Sequence, residues 1–290
     1  MIKKSYVIPF FIAVIGYFFM VFMDAAIKVL GDKYDIFQLL FLNAVFSLIP
    51  ISFFVLKFHG IHFFKKQNYK FQIVRGLLHS GGFFFVLKGV ILLPLAVVYP
   101  ILFSAPLILL VLSHFFLKDT INTVRVTVII LGFIGVIISA EPFGGNTVSV
   151  MGAIYVFLGA LCIAIVNLIT RKFEALASSY ETAFFSMVIS SSIFLFVMSS
   201  NFEVMSFQDL SISFAGGFFA GLGVSAIIYG ARTLPAAIFG MTSYFQLLYG
   251  AIFGWLIFYQ LPTSQNIIGI CCVLIAGLML FILDKQKKIG

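Results

Sequence analysis

The chain alternates long apolar runs with short polar breaks. Stretches such as Val7–Met23, Val86–Leu117 and Ile267–Leu283 match or exceed the about 17–25 residues a helix needs to cross a bilayer core. Reading from one polar break to the next predicts ten membrane helices: Tyr6–Leu30, Ile36–Leu56, Phe71–Leu93, Leu95–Leu117, Val124–Ala140, Val148–Thr170, Thr182–Ser199, Ile212–Ala231, Ala236–Tyr259 and Asn266–Leu283. The near-continuous run Phe83–Leu117 is divided at Pro94, because proline starts a helix well and pushes the residue before it out of the α region. The longest polar link is Lys57–Lys70. Links this short make successive helices antiparallel neighbours in one bundle and leave no room for a soluble catalytic domain.

Composition agrees with the pattern. Hydrophobic residues are 62% of the 290 and charged residues 10%, against about 45–50% and about 25% in soluble domains. Charge then sets orientation. With both termini cytoplasmic, all of the 18 Lys and Arg except Lys28, Lys33 and Lys88 fall on the inner side, which is the positive-inside bias of a multi-pass membrane protein with an even number of spans. The net charge of +8 is therefore a topology signal spread over six inner segments, and no nucleic-acid partner is implied. Lys3-Lys4 and the run after them read as a retained first span, since no small-residue cleavage site closes the run. Cys162, Cys271 and Cys272 lie in apolar helices without metal-ligand spacing and read as buried small hydrophobes. No cofactor or metal site is expected.

The chain also contains itself twice. Gly89-Val90-Ile91-Leu92-Leu93-Pro94-Leu95-Ala96 and Gly230-Ala231-Arg232-Thr233-Leu234-Pro235-Ala236-Ala237 share G-x-x-x-L-P-x-A at an offset of 141. The same offset sets Phe103 against Tyr244, Leu107 against Leu248 and His114 against Trp255, and a one-residue gap then pairs Gly135 with Gly277. Five spans per half, an odd number, turn the second half upside down. The expected fold is all-α: ten transmembrane helices in two inverted five-helix repeats, residues 1–141 (helices 1–5) and 142–290 (helices 6–10). Inverted repeats of this kind recur in secondary transporters, with the substrate site between the halves near the midplane.

The half-repeat ending in L-P-x-A, the proline-containing fourth helix Leu95–Leu117 and the glycine-rich fifth helix around Leu131-Gly132-Phe133-Ile134-Gly135 resemble the EamA domain of the drug/metabolite transporter superfamily, over essentially the whole chain. Met23-Asp24-Ala25-Ala26-Ile27-Lys28-Val29-Leu30, Gln38 and Ser47-Leu48-Ile49-Pro50 are similar to the bacterial branch that includes S-adenosylmethionine uptake transporters. Two departures stand out. Asn43 replaces an arginine common in the second helix, and Lys118-Asp119 and Tyr259-Gln260 replace Gly-Glu pairs after the fourth and ninth helices.

Ionisable groups within a bilayer are costly and each invites a functional reading. Asp24 and Lys28 are one turn apart on one face. Either they pair near the outer interface with Lys28 snorkelling to water, or Asp24 faces a cavity and serves a cationic substrate group or a coupling proton. Arg75 reads as a cytoplasmic anchor and His79, one turn deeper, as a cavity residue. Pro100 and Pro106 free backbone carbonyls in the fourth helix, near Tyr99 and Ser104, and mark it as a bending element. In the ninth helix Thr242, Gln246 and Tyr249 form an i, i+4, i+7 polar stripe, which suits substrate contact or helix–helix hydrogen bonding equally. Substrate-binding candidates are thus Asp24, His79, Tyr99, Ser104, Thr242, Gln246 and Tyr249.

The reading these features favour is a secondary transporter, and not an enzyme. It would move a small organic metabolite, a zwitterion or cation such as an amino acid or S-adenosylmethionine, by alternating access through a central cavity, with a homodimer open to it. An exporter of drugs or toxic metabolites fits the same fold. A membrane-embedded lipid-modifying enzyme would need convergent acids, histidines or a metal set at one interface, where the chain offers scattered ones.

Overall fold

A computed structural model describes residues 4–66, 68–119, 123–140, 149–173, 179–198 and 202–286, and no strand occurs among them. The helices are α1 (Lys4–Leu30), α2 (Ile36–His59), α3 (Tyr69–Leu92), α4 (Leu95–Leu102), α5 (Ser104–Leu117), α6 (Thr123–Ala140), α7 (Val150–Lys172), α8 (Ser179–Met198), α9 (Phe207–Thr233), α10 (Ala236–Ser243), α11 (Phe245–Phe258) and α12 (Ser264–Gln286). A 3-10 turn, Ile61–Lys66, shortens the α2–α3 link. Among the described residues nine spans are long and apolar enough to cross a membrane, and α12 adds the apolar stretch Ser264–Met279. The repeat junction expected at 141/142 lies outside the described residues.

Helix starts follow their caps. Asp35 caps α2 by accepting from Phe37 N at 2.8 Å, and Ser149 caps α7 by accepting from Gly152 N at 3.1 Å. Ser206 accepts from Asp209 N at 3.1 Å, which starts α9 five residues ahead of the predicted Ile212. Polar Gln208, Asp209 and Ser211 hide this first turn from a reading based on hydrophobicity, yet a capping serine followed by an acidic residue satisfies the free N–H groups there.

The predicted fourth and ninth spans are each split, at Phe103 between α4 and α5 and at Tyr244 between α10 and α11. The first split has a covalent cause, since Pro100 and Pro106 offer no N–H to Ala96 O and Leu102 O. No proline lies within Ala236–Phe258. There the break is a matter of packing: a Cβ on Gly277 would stand 1.5 Å from the Tyr244 hydroxyl, so the glycine gives the ring its seat. Phe103 and Tyr244 are equivalent at the offset of 141, and their rings stack at 5.4 Å. The two breaks therefore meet at one depth, on the pseudo-two-fold axis.

The repeat extends to backbone detail. Lys118 ends α5 and Tyr259 ends α11, again 141 apart, and both are left-handed at φ 59 and φ 55. A non-glycine side chain in this conformation is strained by about 1 kcal/mol or more. Lys118→Gly and Tyr259→Gly should each raise stability by about 1 kcal/mol, measured as unfolding in detergent; a loss for both would show that the side chains contribute more than the strain costs.

Glycine contacts pin the halves together. A Cβ on Gly16 would stand 2.9 Å from Gly223 O, and one on Gly223 2.8 Å from Gly16 O, so α1 and α9 cross in backbone contact. Gly82 and Gly159 make the related crossing of α3 and α7, with Gly82 equivalent to Gly223. Because α1 and α7 each pack on the other repeat's helix, the halves interlock. Cys271 is exposed on the helix surface and Cys162 and Cys272 are half-buried, all three free, so the expectation that they are buried does not hold; an apolar helix gives a thiol a lipid-facing position as readily as a core one.

The bundle has a near face, where α1 begins, and a far face, where α1 ends. At the far face Lys33 Nζ and Tyr34 Oη donate to Asp209 at 3.1 and 2.9 Å, and the Gln38 amide pairs with both backbone groups of Glu203 at 2.7 and 2.9 Å. At the near face Arg171 meets Asp119 at 2.9 Å and His59 lies 3.4 Å from Glu181. Each joins one repeat to the other. The largely exposed Arg171–Asp119 pair contributes about 0–1 kcal/mol; the glycine crossings bring the halves into backbone contact.

Candidate functional site

Asp24 is 4% exposed, two turns before the end of α1, and its Oδ2 accepts a hydrogen bond from the hydroxyl of fully buried Tyr99 at 2.7 Å. Tyr99 sits on α4, about 6 Å of helix rise from the Phe103 break. Its ring lies over Gly250 of α11, where a Cβ would approach Tyr99 Cδ2 to 2.1 Å. One turn further out, Leu95 repeats the arrangement over Gly254, whose Cβ would stand 3.9 Å from Leu95 Cβ. Two side chains of α4 thus lie in a glycine seam of α11. The seam brings a carboxylate on α1, a phenol on α4 and α11 together beside the paired helix breaks.

The pairing of Asp24 with Lys28 does not occur. Lys28 Nζ donates to Val90 O, Ile91 O and Leu93 O at 2.7, 3.2 and 2.6 Å, and stands 5.4 Å from the Phe258 ring centre. Nor does it snorkel, for Lys28 is 9% exposed. The physical reason is the L-P junction. α3 ends at Leu92 just before Pro94, which has no N–H to offer its last carbonyls. An ammonium there satisfies three acceptors and the negative end of the helix at once. Lys28→Met should cost about 1–3 kcal/mol for the stranded carbonyls, read as a lower midpoint of thermal unfolding in detergent; an unchanged midpoint would remove this role.

Around the seam lie polar groups without partners. Ser104, the first residue of α5, is fully buried and its Oγ has no hydrogen bond. Gln246 is half-buried, makes no hydrogen bond among the described residues, and precedes Gly250 by one turn on the same face of α11. Tyr17, two turns before Asp24 on its face of α1, is half-buried, and its hydroxyl likewise makes no hydrogen bond among the described residues. Sequence reading missed Tyr17; the signal was the seven-residue spacing from Asp24. An unpaired buried polar group costs about 1–3 kcal/mol, so Ser104, fully buried without a partner, is a costly group in so apolar a bundle.

The remaining candidates divide differently from expectation. The stripe Thr242, Gln246 and Tyr249 is not one face of one helix, because the break at Tyr244 puts Thr242 on α10 and the other two on α11. Thr242 is buried and its hydroxyl donates to Phe239 O at 2.6 Å within its own helix. Tyr249 packs edge-on against Phe18 at 5.4 Å. His79 belongs to a second polar cluster toward the near face, with Nδ1 3.4 Å from Ser190 Oγ and its ring stacked on Phe83. In that cluster Ser80 and Ser190 hydroxyls lie 2.8 Å apart, and Arg75 donates to Thr170 Oγ1, Thr182 O and Ser186 Oγ at 3.1, 3.0 and 2.6 Å. Arg75 is therefore a tie between α3, α7 and α8, not a free anchor in water. No group of three or more His, Cys, Asp or Glu able to hold a metal occurs among the described residues.

Comparison with known proteins agrees with this architecture. The chain is 28% identical over 265 residues to an S-adenosylmethionine uptake transporter of Rickettsia felis, covering 91% of this chain and 88% of that protein. It is 21% identical over 278 residues to a pseudopaline exporter of Pseudomonas aeruginosa, covering 96% of each. A crystal structure with 14% sequence identity superposes with a TM-score of 0.68 over 98% of this chain and 99% of the other, a likeness of fold alone. Residues 7–140 and 150–282 each match the EamA-like transporter family, and since together they take in nearly the whole of a bundle whose halves are related as described, the chain belongs to that family of multi-pass membrane transporters.

Proposed function

We propose that this transporter is a secondary carrier of a small zwitterionic or cationic metabolite, with Asp24 as the counter-charge for the cationic group and Ser104, Gln246, Tyr17 and Tyr99 as its hydrogen-bonding surroundings. The observation that carries the reading is a buried carboxylate with one neutral donor, set among unpaired polar groups at the junction of the two repeats. S-adenosylmethionine and amino acids head the candidates, because a sulfonium or ammonium suits Asp24 and because the Rickettsia relatives are named for S-adenosylmethionine uptake. The positive-inside bias orients the near face, with both termini, to the cytoplasm of a bacterial inner membrane. In that orientation α4 lies toward the outside and α10 toward the cytoplasm, and alternating access would proceed by opening one end as the other closes.

Asp24 is also the group to carry a coupling proton. The relatives named as exporters favour a second direction on the same site, efflux. Purified protein in liposomes, offered labelled S-adenosylmethionine and amino acids with and without an imposed proton gradient, should show saturable flux and counterflow for one of them. Influx and preloaded efflux measured in parallel separate the directions. Absence of saturable flux for every candidate, both ways, would overturn the reading.

A further inference from the structure

The two half-helix pairs are related by the repeat, yet they are not in the same state. From Leu95 to Ile101 every residue of α4 is buried, and α4 packs along α11. In α10, only Thr242 is buried between residues 238 and 243, and α10 does not pack along α5 in the same way among the described residues. α4 at the far end is thus enclosed along its length, and α10 among its described side chains is not. The chemistry at the two ends differs too. The offset of 141 that relates the halves sets Tyr99 against Gly240. Where α4 has a phenol filling the seam, α10 has no side chain, and a Cβ built on Gly240 meets nothing within 4 Å.

The latch at the far end is an unbalanced one. Lys28, one turn from Asp24 on the same face, is the nearest cation along α1, but its three donors are taken by three carbonyls of the α3 end. Asp24 is left with the Tyr99 hydroxyl, a neutral donor. A charged donor makes a bond to a carboxylate about twice as strong as a neutral one. A cationic ligand reaching Asp24 would therefore outcompete the phenol, and losing that bond is what α4 needs in order to leave α1.

We infer that Tyr99 is a stand-in ligand: its hydroxyl holds Asp24 while the far end is shut, and yields the carboxylate to the cationic group of the cargo, so that cargo binding unlatches α4 and opens the far end. Gly240, at the equivalent position of α10, leaves the other end without such a latch. The inference rests on Asp24 as the site of the cargo's cation, and it adds that the site and the gate share one hydrogen bond.

The latch can be tested without knowing the cargo. In protein whose three cysteines are replaced by serine, Leu95→Cys puts a thiol in the α4–α11 seam one turn beyond Tyr99, and Ile238→Cys gives a reporter on α10. Reaction with a soluble maleimide is followed in nanodiscs, where both faces are accessible. With no cargo, Tyr99→Phe keeps the ring and loses the donor, and should speed labelling of the seam thiol about fivefold or more, the equivalent of one lost hydrogen bond. Asp24→Asn, whose amide can still accept from Tyr99 through a weaker neutral bond, should speed it less. Saturating cationic cargo should raise the labelling of the latched parent toward the Tyr99→Phe rate and leave Tyr99→Phe itself little changed. An unchanged rate in Tyr99→Phe would overturn the latch, whatever the cargo. A faster rate in Tyr99→Phe, with no response of the parent to a cargo that the liposome assay shows is carried, would overturn the exchange of partners. Failure to find any carried cargo is read in the liposome assay alone, so the two failures are distinguishable.

Discussion

Asp24→Asn is expected to lower saturable transport about a hundredfold while leaving the protein folded. Removing one partner of a buried, hydrogen-bonded charge pair costs about 2–5 kcal/mol, and each 1.4 kcal/mol is tenfold. Asparagine has nearly the same shape and its carbonyl oxygen can accept from the Tyr99 hydroxyl that now stands 2.7 Å from Asp24 Oδ2. The seam then still closes, and the loss falls on cargo and not on packing. The check is the initial rate of flux in liposomes beside the unfolding midpoint in detergent. Any dependence of flux on a proton gradient should vanish in the same variant if Asp24 carries the coupling proton. Transport within twofold of the parent, with its gradient dependence kept, would return Asp24 to a purely structural role.

Gly250→Val is the second large effect. Its Cβ would stand 2.1 Å from Tyr99 Cδ2 and 2.3 Å from Cε2, closer than any real contact, and the ring it meets is fully buried. Either Tyr99 leaves the seam and abandons Asp24, or α11 moves from α4. Overpacking of a tight interior costs about 1–3 kcal/mol and sometimes more. Transport should fall at least tenfold. The same substitution at Gly240, where the added carbon meets nothing within 4 Å, should leave the unfolding midpoint within error of the parent. Equal destabilisation at the two sites would refute the asymmetry between the ends of the bundle.

Much of the architecture was legible along the chain because a bilayer imposes it. Helices must be apolar for some 20 residues, so the spans, the antiparallel order and the two related halves follow from hydrophobicity and the G-x-x-x-L-P-x-A repeat. The prolines also announced the bend in the fourth span. The matching break at Tyr244 was not announced, since its cause is the space above Gly277 on a helix remote in sequence. The polar stripe Thr242, Gln246 and Tyr249 failed for the same reason, because a helical period predicts a shared face only where the helix is continuous.

The polar residues show where sequence stops. That Asp24 and Lys28 lie on one face of α1 was fixed by their spacing, and spacing alone left pairing as one of two readings. Only the folded bundle offered each a better one: for Lys28 the three carbonyls stranded at the L-P junction 62 to 65 residues away, for Asp24 the Tyr99 hydroxyl 75 residues away. By itself the sequence determined how many times the chain crosses, which halves correspond, and which few groups are costly enough in lipid to matter. The tertiary structure decided who satisfies whom, because in a medium without water a buried charge takes its partners from whichever backbone and side chains packing brings within reach, and nothing local sets that choice.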